Sequence, residues 1–123
     1  MVGEGKRIEV RFYRMPSGRE PVREWLQELS REDRLGIGTD IKTVEFGWPV
    51  GLPVCRSLGG GLWKVRSRLR NRIARVLFCI ERDVMWLLHG FIKKQQKTPA
   101  EDMRLAKRRM REVLTAISQG HKE

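Results

Sequence analysis

The chain is 123 residues long, 40% hydrophobic, with four tryptophans, enough for one core and too little for two, so a single domain over 1–123 with its core at about 7–117 is expected and a disordered tail is excluded. Lysine and arginine number 26 against 15 acidic residues, a formal charge of +11; that exceeds what solubility asks of a small domain and points to a polyanionic partner. No run reaches the ~18–20 apolar residues of a membrane span, and the first residues show no apolar signal segment, so a cytoplasmic protein without membrane contact is expected.

Ile8, Val10 and Phe12 alternate with Arg7, Glu9 and Arg11, the period of a strand with one buried face. Ser17-Gly18-Arg19-Glu20-Pro21 then offers a capping box, with Ser17 as cap, Glu20 reaching back and Pro21 in the first turn of a helix. Val22, Trp25, Leu26 and Leu29 form its apolar stripe. Ser30, with Asp33 three residues on, marks a break and a second cap, and Ile37, Ile41 and Val44 make the stripe of a second helix ended by Gly47 and Pro49. Gly47 to Pro53 reads as a loop crossing to a sheet. Gly59-Gly60-Gly61 reads as a turn before a strand; a phosphate-binding loop would need a following Lys-Ser/Thr and a helix, and neither is there. Leu62–Arg68, Arg72–Ile80 and Val84–Lys93 are strand-like runs separated by turns at Arg70-Asn71 and Arg82-Asp83, an antiparallel meander. Thr98 as cap, Pro99 at the first position and Glu101 at the third open a last helix, whose buried stripe is Met103, Ala106, Met110, Val113 and Ile117 and which Gly120 closes.

The charge is not spread evenly along these elements. Residues 1–53 carry nine basic and nine acidic side chains, whereas residues 54–111 carry 16 basic and four acidic. Strand parity puts Lys64, Arg66 and Arg68 on one face, Arg75 opposite the face of Ala74, Val76, Phe78 and Ile80, and His89, Phe91 and Lys93 on one face. Adjacent strands lie about 4.8 Å apart, so a suitable register gathers these side chains into a cationic cleft, with Lys94 and Lys97 at its rim. Arg75 is the most telling, because it interrupts an otherwise apolar strand.

The sequence shows no carboxylate pair and no serine or cysteine with a positioned histidine. Cys55, Cys79, His89 and His121 form no zinc pattern, so neither a metal nor another cofactor is expected. RNA supplies its own nucleophile. Cleavage by a ribose 2′-OH asks for a base, cations at the crowded phosphate and an acid for the departing 5′-oxygen, and a lysine crowded by arginines or a histidine serves for proton transfer.

Phe12-Tyr13-Arg14, Arg19-Glu20-Pro21-Val22, Leu58-Gly59-Gly60-Gly61-Leu62-Trp63-Lys64-Val65-Arg66, Arg72-Ile73-Ala74-Arg75-Val76-Leu77-Phe78 and the run from His89 through Lys93, Lys94 and Lys97 to Pro99 have a further significance. In this order of elements the sequence resembles the phage-derived HigB-like branch of the RelE/ParE toxin superfamily. The resemblance covers about residues 7–113. It implies an α+β fold in the order β-α-α-β-β-β-α and a type II toxin that cuts mRNA in the ribosomal A site without metal, silenced by an antitoxin that is usually a helix-turn-helix protein. By the same resemblance Arg75 meets the scissile phosphate, Arg66 and Lys64 match basic positions of the preceding strand, and His89, Lys93 and Lys94 lie where relatives keep further catalytic residues. Arg68, Arg72, Phe91 and Lys97 complete the substrate contacts expected of this face. Some relatives carry a tyrosine near the C-terminus; here Tyr13 is the only tyrosine, so proton transfer falls to His89 or a lysine. A gyrase-type inhibitor that cuts nothing and a plain RNA-binding protein are the competing readings.

Overall fold

The computed structural model describes residues 5–94 and 96–120; Gln95 and His121, both part of the patterns above, lie outside them. β1 (Glu9–Phe12) follows Ile8, which is buried, and Val10 and Phe12 pack on the same core while Arg11 stays exposed.

Helix α1 (Pro21–Glu28) starts where Pro21 predicts, but its cap is Glu20, which makes no side-chain capping bond. The expected Ser17 cap is corrected. Gly18, at φ 94°, turns the chain back on itself, with Gly18 N–H donating to the Met15 carbonyl and Met15 N–H to that of Arg19, so Ser17 stands outside the helix. The Glu20 carboxylate is instead held by Arg23 at 2.6 Å. Helix α2 (Arg31–Gly47) follows the sequence closely: Ser30 accepts from the Asp33 N–H at 3.1 Å, and Ile37, Ile41 and Val44 are buried.

Five strands form the sheet, where four were expected. Between α2 and the meander lies β2 (Cys55–Gly59), followed by β3 (Leu62–Arg68), β4 (Ile73–Glu81) and β5 (Val84–Ile92). The order across the sheet is β1-β5-β4-β3-β2; β1 runs parallel to β5 and every other pair is antiparallel. β2 is an edge strand that buries only Cys55 fully, against Val65, while Arg56 and Ser57 are exposed. Gly59, Gly60 and Gly61, all at positive φ, make the turn into β3, the conformation glycine adopts without strain. Arg82 and Asp83 at φ 53° and 61° give the β4–β5 hairpin the positive φ angles of a type I′ turn.

Helices cover both faces of the sheet. On one, α1 and α2 bury Val22, Ile37 and Val44 against Val65, Val76 and Phe78. On the other, helix α3 (Ala100–Gly120) lays Ala106 and Val113 on Leu62, Leu77 and Cys79. Its expected Thr98 cap is also corrected: the Pro99 carbonyl takes the first bond, from the Met103 N–H, and Thr98 Oγ1 is buried without a hydrogen-bond partner among the described residues.

Two local features fix how β5 meets its neighbours. Leu87 pairs with Phe78 and His89 with Leu77, leaving Leu88 as the extra residue of a β-bulge. Leu88 and His89 therefore both lie on the α3 side, and the Leu88 carbonyl accepts from the buried Arg109 Nη1 at 2.8 Å. One residue on, Gly90 lets Trp25 of α1 lie against the strand; a Cβ there would stand 2.4 Å from the indole ring.

Candidate functional site

The register of β3, β4 and β5 sets Arg66 opposite Arg75 and Arg75 opposite Phe91, and Lys64 opposite Leu77 and Leu77 opposite His89. All of these lie on the α3 side of the sheet. A cleft of ≈ 310 Å³ that no α3 residue lines opens on that face beside β2, bordered by Leu52, Pro53, Val54, Arg56, Lys64, Arg66, Arg75, Lys93 and Gln96.

Arg75 is the floor of the cleft. It is 3% exposed, its Nη2 donates to the Gln96 carbonyl at 2.7 Å, and its Nε and Nη1 are buried with no hydrogen-bond partner among the described residues. A guanidinium carries five N–H donors and stays charged, so leaving two of its nitrogens unmatched in a buried site is costly unless a ligand meets them. Among the described residues no carboxylate lies within salt-bridge distance of Arg56, Lys64, Arg66, Arg75 or Lys93. Burial lowers the pKa of Lys64, and the charges of Arg75, Arg56, Lys93 and Arg66 lower it further. Lys93 is lowered by desolvation and then by Arg75 and Arg66, while its Nζ donates to Gln96 Oε1 at 3.1 Å. The cleft is a set of convergent cations with no counter-charge of its own, and it can receive an oxyanion.

The remaining expected site residues spread outward from it. Lys94 and Arg72 join Lys93 and Gln96 around an adjoining hollow, where Arg72 is held by Asp33 at 2.6 Å. Arg68 is exposed at the end of β3 and Lys97 is exposed before α3; neither lines either hollow. His89 is turned away from the cleft. Its Nε2 meets Asp102 Oδ1 in the first turn of α3, and its ring stacks on Phe91 at 5.4 Å and 26°. Tyr13 is committed elsewhere: its hydroxyl donates to Glu112 at 2.7 Å beneath Arg109, and burial raises its pKa.

Sequence reasoning missed Arg56, Gln96 and the Leu52–Val54 wall. The first and last adjoin β2, whose run Val54-Cys55-Arg56-Ser57-Leu58 shows no apolar–polar alternation. A larger hollow of ≈ 810 Å³ lies beside β1 and the C-terminal half of α3, but there Arg11 is paired with Glu9 and Arg23 with Glu20, and Arg14 donates to the Gly18 carbonyl. It lacks the cluster of converging cations that marks the cleft beside β2.

Fold and site together define an α+β domain with a five-stranded, largely antiparallel sheet packed between helices and a cationic cleft at one end. A family model described as phage-derived Gp49-like protein (DUF891) matches residues 24–111, from within α1 through the whole cleft to α3, and the chain belongs to that family. No curated protein matches it. Among the described residues no helix is long and apolar enough to cross a membrane, and no three His, Cys, Asp or Glu side chains gather as a metal site.

Proposed function

We propose that the protein is the toxin of a type II toxin–antitoxin pair, an mRNA endonuclease of the RelE/ParE superfamily in its HigB-like branch, with a RelE-like fold. The single observation that carries this reading is Arg75, a buried guanidinium with two nitrogens unmatched among the described residues, at a cleft lined by further cations and no carboxylate. A phosphodiester is the anion such a cleft suits, since charge-assisted bonds from arginine to phosphate oxygens strengthen as negative charge builds in the transition state. In the reaction a base removes the 2′-OH proton, the 2′-oxygen bonds to phosphorus, and the P–O5′ bond breaks as an acid protonates the leaving oxygen. The products are a 2′,3′-cyclic phosphate and a 5′-hydroxyl. Arg75 and Arg66 hold the phosphate. Lys64 and Lys93, whose pKa values are both lowered, are the proton-transfer groups, because a lowered pKa eases loss of the ammonium proton. His89 holds α3 to the sheet through Asp102.

The cellular partners in this reading are mRNA in the ribosomal A site and a helix-turn-helix antitoxin that masks the cationic face. The test is induction of the chain in cells with mapping of 5′ ends on a translated message, beside an Arg75→Ala control. Codon-phased cuts that vanish in the control are the expected result. Growth arrest with intact message and gyrase-dependent DNA damage would replace this reading with a gyrase inhibitor, and absence of arrest would leave a basic RNA-binding protein.

A further inference from the structure

Cations alone would hold a phosphate, yet this cleft has an apolar side. Its β2-side wall is Leu52, Pro53 and Val54, and Leu52 is 72% exposed, against 56% for Leu35, 45% for Phe46 and 39% for Leu114, the other large hydrophobics left in solvent among the described residues. Of these four only Leu52 borders the cleft. The wall is also held in place. The Arg66 N–H donates to the Val54 carbonyl at 2.9 Å, tying wall to floor, and the Cys55 N–H donates to Gly51 at 3.1 Å. At the far end of the same loop Trp48 packs edge-on against Trp63, centroids 5.0 Å apart, and against Phe78 at 5.9 Å. An exposed leucine on an anchored loop is a prepared contact surface, and a volume of ≈ 310 Å³ is at the small end of organic-ligand sites, about 300–1,000 Å³.

A cationic floor beside an apolar wall fits an amphiphilic anion better than a bare one. Resting on the phosphodiester reading above, we infer that Leu52 and Pro53 seat the base and ribose of the nucleotide whose phosphate lies on Arg75, so that this wall grips the nucleoside beside the cut while the cations hold its phosphate. Bases of single-stranded RNA are held by apolar and planar faces while phosphate contacts only position the strand, which is the division of labour the two sides of the cleft provide.

The experiment is a chemical-shift titration of the full chain with two probes: inorganic phosphate, and a 2′-O-methyl trinucleotide that lacks the attacking hydroxyl and stays uncut. Wild-type protein is expected to bind the trinucleotide about ten-fold more tightly than phosphate. Leu52→Ser should weaken the trinucleotide about five-fold with phosphate unchanged, Leu52→Trp should tighten it, and Arg75→Ala should lose both, differences of the size that one apolar base contact makes. If both Leu52 variants bind the trinucleotide like wild type while Arg75→Ala loses both probes, the base seat is wrong and the phosphate reading stands. If neither probe moves the Arg75 and Lys64 resonances in wild type, the phosphate reading falls and the base seat with it.

Discussion

The two faces of the sheet are made of the same five strands and do opposite things with charge. On the α1–α2 side the first half of the chain balances nine basic against nine acidic residues, and several of its carboxylates are paired: Glu45 with Lys6, Glu24 with Arg19, Glu20 with Arg23, and Asp33 with Arg72. Beneath them the packing is apolar and close, to the point that Gly90 has no room for a Cβ under Trp25. On the other side, at the end α3 leaves open, Lys64, Arg66, Arg75 and Lys93 converge without a carboxylate among the described residues. One face spends its interactions on folding, and the other holds repulsion that a bound anion would relieve.

The sharpest way to break this contrast is Arg75→Ala. RNA cleavage and growth arrest should fall at least about 100-fold, the scale of losing a donor to transition-state charge, while thermal unfolding stays cooperative; retained cleavage would remove Arg75 from the mechanism. On the opposite face Gly90→Ala should cost about 2 kcal/mol by urea unfolding, the order expected of overpacking, and leave phosphate affinity in the cleft unchanged, since Trp25 touches the far side of the strand. A loss of phosphate binding equal to that of Arg75→Ala would show that the faces are not independent. His89→Gln should change cleavage less than about ten-fold, below the usual range of roughly 10²–10⁴ for a general acid or base, because the ring meets Asp102 and Phe91 and does not line the cleft.

The smallest effect is on stability against pH. Lys64 has a folded-state pKa below its ordinary 10.5. Between the folded value and 10.5 the unfolded chain binds more protons than the folded protein, so this lysine makes stability rise with pH across that interval. Lys64→Met should therefore raise Tm at neutral pH, and the advantage should shrink as pH climbs toward 10.5. A Tm difference independent of pH would mean that the lysine is not held in unfavourable surroundings.

Much of this was legible in the chain, for reasons tied to particular residues. Period-two alternation made Arg75 stand out in β4 and put Lys64 and Arg66 on one face of β3, and the register then levels Arg66 with Arg75. Ser30 was a readable cap because nothing competes for its hydroxyl. Ser17 was misread because a left-handed Gly18 reverses the chain before the helix begins, and Thr98 because the helix takes its first bond from Pro99. β2 was unreadable from its own residues: it is an edge strand whose pairing is supplied by β3, and with it went Arg56 and the Leu52 wall. The His89–Asp102 contact, between residues on different elements, left no local pattern.

The bulge at Leu88 has a consequence for how this chain tolerates changes in length. A strand one residue longer than its partners ordinarily throws everything downstream onto the wrong side. Here the surplus is absorbed at one point, so Phe91 stays level with Arg75 and Gly90 stays beneath Trp25. The joint is locked from outside, since the carbonyl it displaces is held by buried Arg109. Excising Leu88 would leave the pairing of β4 with Phe91 in step and strand that arginine, so the spare residue in the strand and the charge in the helix can be lost only together.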